Sequence, residues 1–76
     1  MYSLNERVKV RLKFIKYGEY GEKIYKDFLG TTFIWCSKSN LIEDGSWFTV
    51  STKLYEGLDE HGNLSYLRLF NPRIVK

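Results

Sequence analysis

Among the side chains able to do chemistry, only the cations of this sequence fall into a pattern. The stretch RVKVRLKFIK, residues 7–16, alternates Arg7, Lys9, Arg11 and Lys13 with Val8, Val10, Leu12 and Phe14. A strand sends successive side chains to opposite faces, so the four cations form one row with a spacing of about 7 Å, twice the strand rise. Phosphates of a single strand repeat on a comparable scale, and neutralising them releases counterions with little regard to base identity. A solvated strand face kept positive against edge pairing has the same pattern.

The remaining reactive residues do not assemble into a site. Cys36 is the single cysteine and His61 the single histidine, so an internal disulfide and the usual metal-ligand spacings are excluded. Cys36 is expected as a small strand residue, and His61, in DEHGN, as a solvated turn residue. The acids Glu43, Asp44, Asp59 and Glu60 fall in polar stretches with no paired nucleophile or histidine base. Gly18 and Gly21 lack the following helix that a phosphate-binding loop needs. The sequence therefore predicts no enzyme, no cofactor and no metal.

Seventy-six residues fit one domain, expected over 1–76, with a small core, because so short a chain buries only about 60% of its unfolded surface. No apolar run suits a membrane span or a signal peptide, which predicts a soluble, cytoplasmic protein. The net charge of +3 is unevenly spread. Residues 1–16 carry five cations against Glu6, a local +4, whereas residues 31–60 carry two cations against five acids, a local −3. Such a basic strip is the electrostatic footprint expected for a polyanion partner.

A period of two runs through nearly the whole chain and predicts strands with little or no helix. The first is expected over 6–17, with a bulge at Phe14 and Ile15 where two apolar residues follow each other. A loop with Gly18 and Gly21 leads to a hairpin of strands 22–29 and 32–37 around Gly30 and Thr31. After a polar connection over 38–45, a fourth strand over 47–55 turns Phe48, Val50, Thr52 and Leu54 inward. A loop over 56–63 precedes a fifth strand, 64–70, with Leu67 and Leu69 inward, and Pro72 marks an edge or a bulge before the tail. Five strands in so short a chain manage their edges most simply by closing, which predicts an all-β, five-stranded, partly open OB-like barrel.

The run GTTFIWCSKSNLIEDGSWFTVSTKLYE, followed by LSYLRLFNPRIV, resembles a small β-barrel module frequent in bacteriophage proteins. Phe33, Trp35, Leu41, Gly45, Phe48, Val50, Leu54, Leu69, Arg73 and Ile74 stand at its motif positions, and Arg7 and Val8 fit its opening strand. Two positions depart from the pattern: Thr52 replaces a small, glycine-like residue, and Phe70, Asn71 and Pro72 replace a basic, threonine-containing end. The resemblance implies an OB-like fold and an association with nucleic-acid handling.

In an OB-fold the outer face of strands one to three meets the nucleic acid, which would give the cation row a partner. Thirteen aromatics (two Trp, six Tyr, five Phe) add rings on which bases stack, too many for all to be core. Tyr25 shares its parity with Lys23, and Ile24 with Phe28, so Tyr25 is expected outward beside the cations. For Trp35 the alternation favours an outward ring and its size favours burial. Tyr17 and Tyr20 occupy the flexed first loop, while Tyr66, Arg68 and Phe70 share the outward face of strand five. Trp47 is expected far from the first-strand cations. The expected site is thus Arg7, Lys9, Arg11, Lys13, Tyr17, Tyr20, Lys23, Tyr25, Trp35, Tyr66, Arg68 and Phe70, binding single-stranded nucleic acid, DNA in preference to RNA. The alternative is a phage-encoded protein-binding module or inhibitor that docks onto a host or phage enzyme, such as a replication protein. Assembly into a homo-oligomer through strand edges is a third reading.

Overall fold

The computed structural model describes residues 6–36 and 41–75. Its strands are β1 (Val8–Tyr17), β2 (Lys23–Lys26), β3 (Thr32–Trp35), β4 (Trp47–Leu58) and β5 (Leu64–Val75), with no helix among the described residues. They close in the order β1-β2-β3-β5-β4, every neighbour antiparallel except β3 and β5. This all-β, five-stranded barrel is consistent with an OB-like fold, although it is closed where a partly open one was expected. Closure depends on strand length. β1 pairs with β4 through Val8 to Lys13 and with β2 through Lys13 to Tyr17, and β5 continues past Pro72 to reach Thr49 of β4 with Val75.

The bulge expected in β1 is present. Phe14 faces Tyr25 and Lys16 faces Ile24, so Ile15 is the extra residue, and the strand bends there from one partner to the other. Inside, Val10, Leu12, Phe48, Val50, Thr52, Leu54, Leu67 and Leu69 are buried as the alternation predicts, with Val8 and Phe14 half-buried beside them. Each large apolar side chain withdrawn from water contributes roughly 1.5–3 kcal/mol, which is how a barrel this small holds together.

The second hairpin turns the opposite way from its expectation. Tyr25 and Phe33 are both fully buried, and Ile24 and Ile34 take the outer positions. Phe28, expected inward with Ile24, is 85% exposed because β2 ends at Lys26 and Phe28 belongs to the loop. Cys36, expected in a strand, lies just beyond β3 and is exposed.

Three hairpin loops share one construction. In the loop between β2 and β3, Asp27 N–H donates to Thr31 C=O at 3.2 Å and Gly30 N–H to Asp27 C=O at 3.2 Å. In the loop between β4 and β5, Asp59 N–H donates to Asn63 C=O at 2.8 Å and Gly62 N–H to Asp59 C=O at 3.1 Å. The carboxylate that opens each loop accepts two further N–H groups, those of Leu29 and Thr31 on Asp27 and those of His61 and Asn63 on Asp59. Gly30 (φ 85°) and Gly62 (φ 79°) hold the left-handed position that other residues rarely adopt. The β1–β2 loop repeats the backbone bonds with Gly18, Gly21 and Glu22. There Gly18 replaces the aspartate, and the Glu22 carboxylate folds back into the space a Cβ at Gly18 would occupy and accepts the Tyr20 N–H.

Both departures from the phage-module pattern meet at a second bulge. Ser51 faces Arg73 and Lys53 faces Phe70, so Asn71 and Pro72 together oppose Thr52. Asn71 has φ 51° and Pro72 has no N–H to give the ladder. The buried Thr52 hydroxyl takes over on the inside: Phe70 N–H donates to it at 3.2 Å, and it lies 3.0 Å from Phe70 C=O and 2.8 Å from Lys53 C=O as acceptors. On the outside Arg7 donates to Asn71 C=O at 2.7 Å, to Ser51 C=O at 3.1 Å and to Ser51 Oγ at 3.0 Å.

Candidate nucleic-acid interface

The outward cations of β1 lie beside β4, and the ladders set what surrounds them. Lys13 stands between Lys26 of β2 and Trp47 of β4. Arg11 faces Thr49, which faces Val75; Lys9 faces Ser51, which faces Arg73. Further along β4, Lys53 faces Phe70 and Tyr55 faces Arg68. Paired residues share a face at about 4.5–5.5 Å, so these rows form one surface across β1, β4 and β5. Lys26, Lys13, Arg11, Lys9, Arg73, Lys53 and Arg68 supply its charge, and no acid stands in the rows.

Most acids lie instead in loops or in one inward cluster, and Glu56, the acid of β4, faces Leu67 outside these rows. Asp27, Asp59 and Glu22 accept loop N–H groups, and Asp44 accepts the Ser46 hydroxyl and N–H. The Ser46 bonds hold the Asp44 carboxyl below its ordinary range, which keeps it ionised. Glu43 accepts the Tyr17 hydroxyl through Oε1 and pairs with Lys23 Nζ at 3.5 Å through Oε2. The hydrogen bond to that carboxylate raises the Tyr17 pKa, since it favours the neutral phenol.

The rings of the outer face come in two groups. At one end Lys13 Nζ lies 6.0 Å from the centre of the Trp47 ring, within cation–π range, and Trp47 meets Phe28 at 5.7 Å between centroids. At the other, Tyr55 and Phe70 pack edge to face at 5.4 Å, flanked by Lys53 and Arg68. Trp47, Tyr55 and Phe70 are all partly solvent-exposed.

The twelve residues expected at the site divide accordingly. Lys9, Arg11, Lys13, Arg68 and Phe70 come together on this face. Arg7 is exposed but occupied by the bulge at Asn71. Tyr66 lies over Gly57, where a Cβ would run into its ring, so it covers a glycine in the sheet. Tyr20 projects from the first loop, 88% exposed and apart from the rows, while Tyr17 is tied to Glu43. Trp35 is half-buried and packs on the core.

Lys23 and Tyr25 are corrections. Both are buried, Lys23 because Glu43 reaches in to neutralise it, and Tyr25 because Phe14 and Phe48 pack edge-on against its ring at 5.5 and 5.6 Å. Trp47, expected far from the first-strand cations, stands opposite one of them. Lys26, Lys53, Arg73, Trp47 and Tyr55 stand on this face outside the expected set. Their parity was readable, because the β4 members alternate with the buried Phe48, Val50 and Leu54, but their adjacency to β1 arises only when the barrel closes.

No protein-family model matches the chain, and no match was found among curated proteins or solved structures. Of the ten phage-module motif residues, Phe33, Leu41, Phe48, Val50, Leu54 and Leu69 are buried core. The resemblance is therefore carried mainly by residues that build the barrel, and says little about its outer face.

Proposed function

We propose that the protein binds single-stranded nucleic acid, with DNA the first ligand to test before RNA, by a mechanism without bond chemistry. The observation that carries this reading is the set of outward rows across β1, β4 and β5, which hold no acid and in which cations of three strands alternate with Trp47, Tyr55 and Phe70. Cations repeating along and across the strands suit a flexible phosphate backbone, and rings among them suit unpaired bases of any identity. The reading extends the phage-module resemblance to a phage-encoded barrel acting in the host cytoplasm. Among the described residues no helix is long and apolar enough to cross a membrane.

A labelled oligonucleotide titrated at several salt concentrations tests the proposal. Binding should weaken steeply with salt, the logarithm of affinity falling by about 0.7 per engaged phosphate for each tenfold rise in salt, and should vary little with base sequence. A flat salt response, or no binding at low salt, overturns it. Tight binding to a replication protein with no oligonucleotide binding selects the protein-docking reading instead.

A further inference from the structure

We infer that the tip of the β2–β3 loop, Phe28 and Leu29 with Trp47 behind them, is a stacking site for an unpaired nucleobase at one end of the basic face. The inference rests on the nucleic-acid reading above and adds to it a place and a chemical class of contact.

The argument begins from the two matched loops. Asp27 to Thr31 and Asp59 to Asn63 have the same backbone bonds, the same carboxylate accepting the same two N–H groups, and glycine at the same left-handed position. Their two tip positions are solvent-exposed in both. One loop fills them with Glu60 and His61, the other with Phe28 and Leu29, which are 85% and 86% exposed. The fold thus accepts polar residues at the tip and gains little burial from apolar ones. Adjacent large apolar side chains left in water where the turn does not require them point to a partner.

What lies beside the tip selects that partner. Phe28 continues a stack that runs from Lys13 through the Trp47 ring, tilted 35° to its own, and its exposure leaves the stack open at the Phe28 end. Lys13, 6.0 Å from the Trp47 ring, is flanked on its other side by Lys26, so two positive charges stand in the row that ends on that ring. A ligand matching both features carries a flat apolar ring and an anion a few ångströms apart, which describes a nucleotide within a single strand. A base pair already stacked in a duplex presents no free face to Phe28, so the site also selects unpaired strands.

The test uses the whole chain, an oligothymidine of about a dozen nucleotides, and an abasic strand of the same length that keeps the phosphates. The double variant Phe28→Gln with Leu29→His is built to fold, since its counterpart loop carries polar residues on the same backbone, and an unchanged melting temperature checks this. Wild type should bind oligothymidine more tightly than the abasic strand. The variant should lose about five- to a hundredfold in affinity for oligothymidine, the effect of removing one stacked base, and retain wild-type affinity for the abasic strand. Equal loss for both strands, or no loss for either, overturns the stacking site while leaving the basic face intact. Failure of wild type to bind either strand overturns the nucleic-acid reading itself and this site with it. In Trp35→Phe, whose emission comes from Trp47, quenching by oligothymidine but not by the bound abasic strand supports the site; identical responses count against it.

Discussion

Lys13 and Trp47 face each other across β1 and β4, and the lysine ammonium stands 6.0 Å from the indole centre. A binding face that includes this pair makes Trp47 the fluorescent reporter of a bound strand. Trp35 is half-buried, packs on the core and is not a member of the rows. Titration with a single strand should therefore quench wild-type emission; Trp47→Phe should lose most of the response and Trp35→Phe should keep it. A response that follows Trp35 would relocate the site to β3.

Salt dependence separates the cations that meet phosphate from the one that serves the fold. Lys9 and Arg73 flank Ser51 from either side with no acid in their rows, so Lys9→Ala and Arg73→Ala should each flatten the salt slope by about 0.7, and together by about 1.4. Their melting temperatures should stay close to wild type, as expected for surface substitutions. Slopes unchanged in both variants would mean that the strand passes elsewhere on the barrel.

Strand number, the β1 bulge and the inner face of β4 were legible because each rests on local alternation. Val10, Leu12, Phe48, Val50 and Leu54 are apolar where their neighbours are polar, and every one is buried. β2 and β3 carry no such signal. Ile24 and Ile34 are as apolar as Tyr25 and Phe33, so either face is a plausible core from periodicity alone. The choice is made by contacts distant in sequence: Glu43 neutralises Lys23, which lets that parity turn inward and carries Tyr25 with it. The candidate face was half legible for the same reason. Its β1 cations form a local pattern, whereas Lys53, Arg73 and Trp47 join them only through the ladders.

The bulge at Asn71 and Pro72 predicts two kinds of stability loss. Thr52→Val keeps the shape of the buried side chain but removes the acceptor of the Phe70 N–H, so chemical denaturation should show a loss of about 1–3 kcal/mol. Arg7→Ala removes bonds made in water and should cost less, about 0.5–1.5 kcal/mol, with Arg7→Lys recovering little because one ammonium does not reproduce the fork that reaches both Ser51 and Asn71. Recovery by lysine, with a salt slope that drops when Arg7 is removed, would instead assign Arg7 to phosphate.

Tyr25 offers the sharpest test of the corrected core. Its hydroxyl is buried and has no hydrogen-bond partner among the described residues, so Tyr25→Phe deletes a desolvated polar group and leaves the edge-on packing with Phe14 and Phe48 in place. Stability near neutral pH should rise, by about 1 kcal/mol, where an outward Tyr25 would leave it unchanged. The alkaline limb supplies an independent sign. Burial, followed by the negative charge of Glu43 and the neighbouring Tyr17, raises the Tyr25 pKa above its ordinary value of 10.0. A group whose pKa is higher folded than unfolded contributes stability that is complete below the unfolded value and is lost as pH rises through the folded one. Wild type should therefore weaken above about pH 10, and Tyr25→Phe should weaken less steeply, retaining the smaller contribution of Tyr17, whose pKa is raised in the same direction. Urea unfolding at neutral and alkaline pH measures both effects, and a destabilised Tyr25→Phe with an unchanged alkaline slope would show that the hydroxyl has a partner inside the barrel.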